Sequence, residues 1–269
     1  MFRKLFSEAY IEFMLKTESP LFIKYQNDVI DPTAEDATYI HINRNNKRIP
    51  ILPGTSMKGV FRSYAERILP NSCNVLSYSC AQQINTLQNK NKDKKPLTVY
   101  DIYHKLCPTC KLFGSTLLKS RILFDDSVAN ENFIINVRSS TPIDRISGAA
   151  KQKGLNNFEY VEYAEFPCKI KLINFFNWQV HLLIKILDDI NDGFVTFGGL
   201  TSKGFGRMKV ENVSLKIKYY KRQINGYINN DFYCEKEIND MQKIKGIVGK
   251  YKLDDSEFRK DDLQNEPNL

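Results

Sequence analysis

Four cysteines in one polar stretch of the chain have the residue type and spacing of a structural metal site. Cys107 and Cys110 form a CPTC pair with zinc-knuckle spacing, and Cys73 and Cys80 lie upstream in the same stretch. Four thiolates at about 2.3 Å from a zinc ion would form a closed tetrahedral site. His104 could replace one of the upstream cysteines. The alternatives are free thiols or a redox pair at CPTC, and the spacing favours zinc.

A second group of residues favours phosphate binding. The segment GGLTSKGFGR, residues 198–207, holds four of the chain's 13 glycines together with Lys203 and Arg207. Glycine lets a backbone approach a ligand closely, and consecutive exposed N–H groups form nests that bind phosphate. The spacing is not that of a nucleotide loop, because GxxxxGK[ST] is absent and GxG does not open a helix. The pattern favours contact with a sugar-phosphate backbone, and the alternative is a bulged hairpin turn without a ligand.

The charge of the chain makes RNA a natural candidate for that contact. Lys and Arg total 39 against 31 Asp and Glu, a net charge of +8, and such a surplus makes a polyanion a plausible partner. No apolar run approaches the roughly 20 residues that span a bilayer, and Glu8 and Glu12 interrupt the N-terminal stretch that a signal peptide would need. We therefore expect a cytoplasmic protein with no membrane partner, in which disulfides are absent.

Interleaved strands and helices must position these groups. Strand-like patterns cover residues 10–17, 37–43, 120–127, 133–138, 158–173, 179–187 and 207–220. The overlapping segment HLLIKILDDI at 181–190 also fits a helix, and FVTF at 194–197 is predicted to be a buried strand. A helix follows Pro53, with Thr55 or Ser56 as its N-cap and Pro70 as its end, and a weaker helical pattern covers 236–251. This order predicts an α+β fold with an antiparallel sheet.

Several motifs resemble those of the RAMP superfamily, the RNA-binding subunits of CRISPR effector complexes. IPILPGTSMKGVFRSYAERIL at 49–69 resembles the family's proline-glycine-serine-x-x-lysine-glycine helix start, and CKLFGS at 110–115 resembles its leucine-phenylalanine-glycine element. Residues 198–207 resemble its glycine-rich loop. A looser match covers TPIDRISGAAKQKGLNNFEYVEYAEF at 141–166, and TESPLFI at 17–23 is also similar. The motifs occur in family order over about residues 8–215, and the best resemblance is to the backbone subunit of type III, Csm/Cmr-type, complexes.

The resemblance implies a modified ferredoxin-like, RRM-like core with insertions. Residues 1–220 would form a single domain, with a zinc-containing insertion at about 71–110 and a thumb insertion at about 139–158. Some backbone subunits of this type carry zinc in the corresponding insertion. The family's thumb wedges between guide and target, and Ile143 or Leu155 could be the apolar wedge. Residues 221–269 would be a C-terminal extension, to which the sequence assigns no role.

The resemblance also implies which residues contact RNA. The predicted contacts are Lys58, Arg62, Arg138, Arg145, Lys151, Gly199, Lys203, Gly204 and Arg207. Lys58 and Arg62 would neutralise phosphates near a helix start, whose free N–H groups also favour an anion. The alternative for both is an exposed helix face. Arg145 could instead be held by the carboxylate of Asp144.

Related type III backbone subunits cut target RNA through an aspartate in the loop after the first strand, supported by magnesium or another divalent ion. The 2′-hydroxyl of the target attacks the adjacent phosphate, and a carboxylate could hold a hydrated metal ion or move a proton. The family pattern falls on Asp36, with Asp31 as the alternative. The expected function is therefore target-RNA cleavage by a CRISPR RNA-binding subunit, in a complex with other effector subunits and copies of itself.

Two other functions remain open at this point. One is a non-catalytic RAMP subunit that only binds guide RNA and shapes the complex. The other is a stand-alone processing endoribonuclease, in which a histidine would be the general base. The position of His41 within an apparent strand disfavours the second.

Overall fold

The computed structural model describes residues 4–25, 37–74, 77–90, 97–150, 156–259, 262–263 and 265–269. The strands are β1 (Ser7–Thr17), β2 (Lys24–Tyr25), β3 (Thr38–Tyr39), β4 (His41–Arg44), β5 (Lys47–Leu52), β6 (Ile122–Phe124), β7 (Ser127–Val128), β8 (Ile134–Ser140), β9 (Asn156–Tyr163), β10 (Glu165–Ile173), β11 (Met208–Tyr220), β12 (Ile228–Asn229) and β13 (Tyr233–Ile238). The helices are α1 (Gly54–Ile68), α2 (Cys80–Lys90), α3 (Val99–Lys105), α4 (Pro108–Phe113), α5 (Asn177–Asn191), α6 (Met241–Val248) and α7 (Asp255–Phe258), with a 3₁₀ turn at Thr201–Lys203. Within this part of the chain, no helix has the length and apolar character needed to cross a membrane.

The largest sheet has six strands in the order β12-β13-β11-β1-β10-β6. Every neighbouring pair is antiparallel, which confirms the predicted antiparallel sheet. Four of its strands and two helices follow the chain order β1-α1-β6-β10-α5-β11. Three smaller sheets pair β2 with β3, β5 with both β4 and β7, and β8 with β9.

The two faces of the large sheet differ because successive side chains of a strand point to opposite sides. On β1, the buried apolar side chains are Ala9, Ile11, Phe13 and Leu15. They join one core with residues of α1 and α5, and α5 contacts both α1 and β11. The other face carries cross-strand ion pairs, such as Glu12 with Lys169 at 2.7 Å. The helices therefore cover one face of the sheet and leave the other polar.

Helix α5 corrects a prediction, because residues 179–187 lie in a helix and the strand reading was wrong. Apolar side chains of α5 are buried on several sides of the helix: Val180, Leu182, Leu183, Ile184, Ile186 and Leu187. The less buried residues of α5, His181, Lys185 and Asp188, recur at helical spacing, in agreement with the helical alternative for residues 181–190. The expected strand at 194–197 is also absent, since only Thr196 makes a bridge, to Arg207.

Helix α1 begins and ends near the predicted positions, but its cap differs. Pro53 is the N-cap residue, so the prediction of Thr55 or Ser56 was wrong. The Gly54 N–H group donates to Asp126 Oδ1 at 2.7 Å. One of the N–H groups expected to be free for an anion is therefore occupied by a carboxylate.

The C-terminal residues complete the sheet and its core. Strand β13 pairs with β11, and β12 pairs with β13. Helix α6 confirms the helical pattern over residues 241–248, whereas residues 236–238, which the prediction also included, lie in β13. The buried side chains of this segment belong to the main core: Cys234, Ile238, Ile244, Val248, Phe258 and Leu269. The predicted extension at 221–269 is thus packed against the rest of the protein.

Candidate metal centre and nucleic-acid interface

The four predicted cysteine ligands come together in space. The Sγ atoms of Cys73, Cys80, Cys107 and Cys110 all lie within 4.8 Å of one another, and those of Cys73 and Cys110 are 3.5 Å apart. Four sulfurs bound at about 2.3 Å would be about 3.8 Å apart, the edge of a tetrahedron of that radius. The spacing fits a metal such as zinc. His104 is outside this group, and its ring stacks on Tyr100 with centroids 4.1 Å apart.

Helix α4 positions two of these sulfurs. Cys107 is its N-cap residue and accepts a hydrogen bond from the Cys110 N–H group at 3.4 Å. The Cys107 N–H group in turn donates to Cys80 Sγ at 3.3 Å. N–H groups that point at a sulfur stabilise its negative charge, so the backbone itself favours thiolates here.

The protonation of the cluster is also uneven. Hydrogen bonds from the Cys110 and Cys80 thiols lower the pKa of Cys107. The pKa of Cys110 is raised, chiefly by its contacts with Cys107 and Cys80. A divalent cation bound among these sulfurs would stabilise the thiolate form of the cluster.

Arg62 closes the cluster from the side of α1. Its guanidinium donates to Glu66 Oε1 at 2.9 Å, to the Gly114 carbonyl at 3.1 Å and to Cys110 Sγ at 3.7 Å. Burial lowers the pKa of Arg62, but the hydrogen bond to Glu66 and the nearby thiols give a net rise. These contacts give Arg62 a structural role beside the metal centre, and its contact with RNA stays an untested prediction.

Lys58 lies one helical turn before Arg62 and has a different environment. Its pKa is lowered by partial burial and by the positive charge of Arg62. Among the described residues, no carboxylate forms an ion pair with it. The next residue, Gly59, is exposed, and a Cβ atom there would meet nothing within 4 Å. This face of α1 therefore combines a cation that lacks a counterion with an open stretch of backbone.

Most backbone amides of the glycine loop, residues 198–207, form hydrogen bonds within the protein, which the sequence did not suggest. Six of its amides donate to acceptors inside the protein: those of Gly199, Lys203, Gly204, Phe205, Gly206 and Arg207. The prediction of a free N–H nest was wrong for these six residues. Gly198 and Gly206 have positive φ, and a Cβ atom would lie 2.4 Å from the Phe22 carbonyl oxygen and 2.1 Å from that of Phe197. Internal packing therefore explains these two glycines.

The tip of this loop nevertheless remains accessible. Residues 201–204 are exposed, and Gly204 has open space around it. Lys203 and Arg207 are exposed as well, and neither forms an ion pair with a carboxylate in the described part of the chain. What the loop offers a ligand is mainly cationic side chains.

A small aromatic cluster joins the glycine loop to the β8–β9 hairpin. Phe205 of the loop packs against Phe158 and Tyr160 of β9, with ring centroids 6.1 and 5.5 Å apart. Phe22, at the end of the segment after β1, stacks on Phe158 at 5.2 Å. The guanidinium of Arg138 on β8 lies 5.5 Å from the Phe205 ring centre. These contacts bring three predicted features that are distant in the sequence to one surface. They are the glycine loop, Arg138 and the segment after β1.

The turn of the β8–β9 hairpin is exposed and carries apolar side chains. Ile143 is 69% exposed and Ile146 is 98% exposed. Asp144 Oδ1 accepts hydrogen bonds from the N–H groups of Ile146 and Ser147, so this carboxylate shapes the turn and does not hold Arg145. Arg145 is exposed. Sequence reasoning missed Ile146. Lys151 and Leu155 lie outside the described residues.

The predicted catalytic residue Asp36 and its alternative Asp31 also lie outside the described residues. Ala37, which is described, forms a bridge with Phe158, and its carbonyl accepts a hydrogen bond from the Glu159 N–H group at 2.9 Å. Glu159 holds Arg48 through two hydrogen bonds of 2.7 and 2.9 Å. This pair was missed, because its members are 111 positions apart in the sequence.

Comparison with known proteins supports this arrangement. A family model described as RAMP superfamily matches residues 14–209. That span includes the cysteine cluster, the exposed face of α1, the β8–β9 hairpin and the glycine loop. No curated protein matches the chain.

Proposed function

Because this chain belongs to the RAMP superfamily, whose members are CRISPR-associated RNA-binding subunits, we propose that it is the CRISPR RNA-binding backbone subunit of a type III, Csm/Cmr-type, effector complex. The chain order β1-α1-β6-β10-α5-β11 and the sheet order β11-β1-β10-β6 support a ferredoxin-like core. Other subunits of the complex and copies of this chain would be its protein partners.

The observation that carries the proposal is the face of α1 at Lys58 and Gly59. In the part of the chain that the structure describes, no carboxylate pairs with the partly buried ammonium of Lys58, and an RNA phosphate would supply its counterion. The glycine beside it allows the sugar-phosphate backbone to approach the helix. Lys203, Arg207 and Arg138 would extend the contact across the surface of the glycine loop. Such contacts bind RNA without reading its bases.

The β8–β9 hairpin is the proposed thumb. Its exposed turn offers Ile143 and Ile146 as apolar groups that can insert between bases, and exposed Arg145 as a phosphate ligand. Lys151 remains part of this proposal on sequence grounds. A side chain that is 98% exposed contributes almost nothing to the folded core, so Ile146 is the stronger candidate for a wedge.

The cysteine cluster is proposed to hold structural zinc. All four ligands are cysteines, and none is left as an open position for catalysis. The ion would fix α4 and the segment around Cys73 and Cys80 against α1. Through Arg62, which contacts both Cys110 and Glu66, this insertion supports the helix that carries Lys58.

Target cleavage is the catalytic part of the proposal, with Asp36 as the residue that acts with magnesium or another divalent ion. The test is a complex reconstituted with its guide RNA and a complementary labelled target. We expect cleavage with magnesium, no cleavage with a chelator, and loss of cleavage with unchanged target binding in Asp36→Asn. Asp31→Asn is the matched control in the same segment.

Each outcome of this test separates the candidate functions. Cleavage that persists in Asp36→Asn but is lost in Asp31→Asn would move the role to Asp31. Binding of guide and target without cleavage in the wild-type complex would favour the non-catalytic RAMP subunit. A complex that contains no RNA would contradict the whole proposal.

A further inference from the structure

A groove lies at the end of the large sheet where β1 begins and β11 ends. Its volume is about 920 Å³, within the range of binding sites for small ligands. The N-terminal residues Lys4 and Leu5 form one side of the groove. The other side is formed by Tyr220 at the end of β11, by Lys221 directly after it, and by Phe232 in the turn between β12 and β13.

The groove exposes aromatic and apolar side chains to solvent, and these side chains contribute little to the folded core. Phe232 is 79% exposed and Leu5 is 41% exposed. Phe232 is held at the tip of a tight turn, because the Asn230 N–H group donates to the Tyr233 carbonyl at 2.8 Å. The large aromatic side chain is therefore presented to solvent by an ordered backbone.

The charges of the groove are predominantly positive. Lys4, Lys221 and Arg222 line it, against one carboxylate, that of Asp231. In the described part of the chain, neither Lys4 nor Lys221 forms an ion pair. Arg222 differs, since its guanidinium donates to the carbonyl groups of Leu263 and Glu266. The two lysines are thus the cations available to a ligand.

The backbone at Lys221 is also unusual. Its φ angle is +57°, in the left-handed region that non-glycine residues seldom adopt. A hydrogen bond from its N–H group to the Phe232 carbonyl, 3.2 Å long, fixes this conformation. The hydrogen bond therefore links the backbone of Lys221 to the turn that exposes the Phe232 ring.

From these features we infer that the groove is a second RNA site, which takes a single-stranded nucleotide with its base against Phe232 and its phosphate at Lys221 and Lys4. Exposed aromatic rings beside cations are the usual composition of grooves for single-stranded nucleic acid. Protein–protein interfaces, by contrast, are depleted in lysine. The site would let RNA that leaves the surface of α1 and the glycine loop remain attached to the subunit.

This inference rests on the proposed function but concerns a different part of the chain. Residues 4–6 and 220–232 lie outside the span of 14–209 that the family model matches. An RNA site here would therefore be a property of this chain, added to the core that the family shares.

The test is binding of a fluorescein-labelled oligouridylate to the purified full chain, followed by fluorescence anisotropy over a range of salt concentrations. Phe232→Ala should bind about tenfold more weakly, the approximate worth of one base stacked on an aromatic ring, and Phe232→Trp should restore binding. Lys221→Asn removes the charge and tolerates the left-handed conformation. It should reduce the slope of log affinity against log salt by about 0.7.

Matched controls lie elsewhere on the surface. Tyr100→Ala removes an aromatic side chain that is 66% exposed on α3, and Lys250→Asn removes an exposed cation. Both should bind like the wild type. A photo-crosslinking residue at position 232 should crosslink to RNA in the assembled complex.

Three results would decide against the inference. Wild-type binding by both groove variants, with weakened binding by Lys58→Gln, would overturn the groove site and leave the proposed function standing. Wild-type binding by all three variants would overturn both. Crosslinks from position 232 to a protein subunit and none to RNA would identify the groove as a protein docking site.

Discussion

Gly59 offers a test in which stability and RNA binding change in opposite directions. It is the sixth of 15 residues in α1, it is exposed, and an added Cβ atom would meet nothing within 4 Å. A glycine inside a helix is less favourable than alanine by about 0.8–1.0 kcal/mol. Nothing in the packing of the protein requires that cost.

We therefore expect Gly59→Ala to raise the free energy of unfolding by about 1 kcal/mol. For a domain of this size, such a change raises the thermal midpoint by about 2–4 °C. Thermal denaturation followed by circular dichroism measures this shift directly.

The same methyl group should weaken RNA binding, because it stands beside Lys58 where the sugar-phosphate backbone is proposed to approach α1. The methyl group is expected to displace the phosphate that Lys58 would bind. A hydrogen bond to a charged group is worth about 1.5–3 kcal/mol, so losing the one between Lys58 and the phosphate would weaken affinity roughly 10- to 150-fold. Gly246→Ala is the matched control, since Gly246 is an exposed helical glycine in α6 with equally open surroundings. It should gain stability and keep its affinity.

The opposite result would be a gain of stability in both Gly59→Ala and Gly246→Ala with guide RNA bound by both as tightly as by the wild type. The open backbone of α1 would then have no connection with RNA. Gly59 would be a neutral surface residue.

Other predictions concern charge, metal and pH. Lys58→Gln should weaken RNA binding for all sequences and lower the salt slope by about 0.7, as measured by anisotropy. The purified protein should contain about one equivalent of zinc by elemental analysis, and Cys110→Ser or a strong chelator should lower both the zinc content and the thermal midpoint. Burial raises the pKa of Glu8, but hydrogen bonds from Lys171, Tyr220 and Tyr10 outweigh it and leave the pKa below its ordinary value of 4.5. The stability that Glu8 contributes is therefore present above pH 4.5 and is lost as the pH falls below it, so Glu8→Gln should flatten the dependence of stability on pH in that acid range.

The sequence predicted best those features that depend on local patterns. The antiparallel sheet, the strand predicted at residues 207–220, helix α1 and the grouping of the four cysteines follow from periodicity or from spacing. In α5 the strand interpretation failed because apolar residues dominate the segment, although the alternative of a helix over residues 181–190 was correct. A sequence pattern reports the environment of a segment as well as its conformation.

Features that depend on distant residues could not be predicted. The N-terminus of α1 is capped by Asp126, which lies 72 positions away. Gly198 and Gly206 are required by close contacts with the Phe22 and Phe197 carbonyl groups, although in sequence they suggest a phosphate loop. The groove beside Phe232 likewise forms only in the folded protein, where residues 4–6 lie next to residues 220–222 and 231–232.

We propose above all that guide RNA binds to one surface, which is formed by α1, the β8–β9 hairpin and the glycine loop. Ultraviolet crosslinking of the complex assembled with its guide, followed by peptide mass spectrometry, tests it most directly. The account predicts RNA crosslinks within residues 54–68, 134–150 and 198–207. Absence of RNA from the complex, or crosslinks confined to other parts of this subunit, would contradict it.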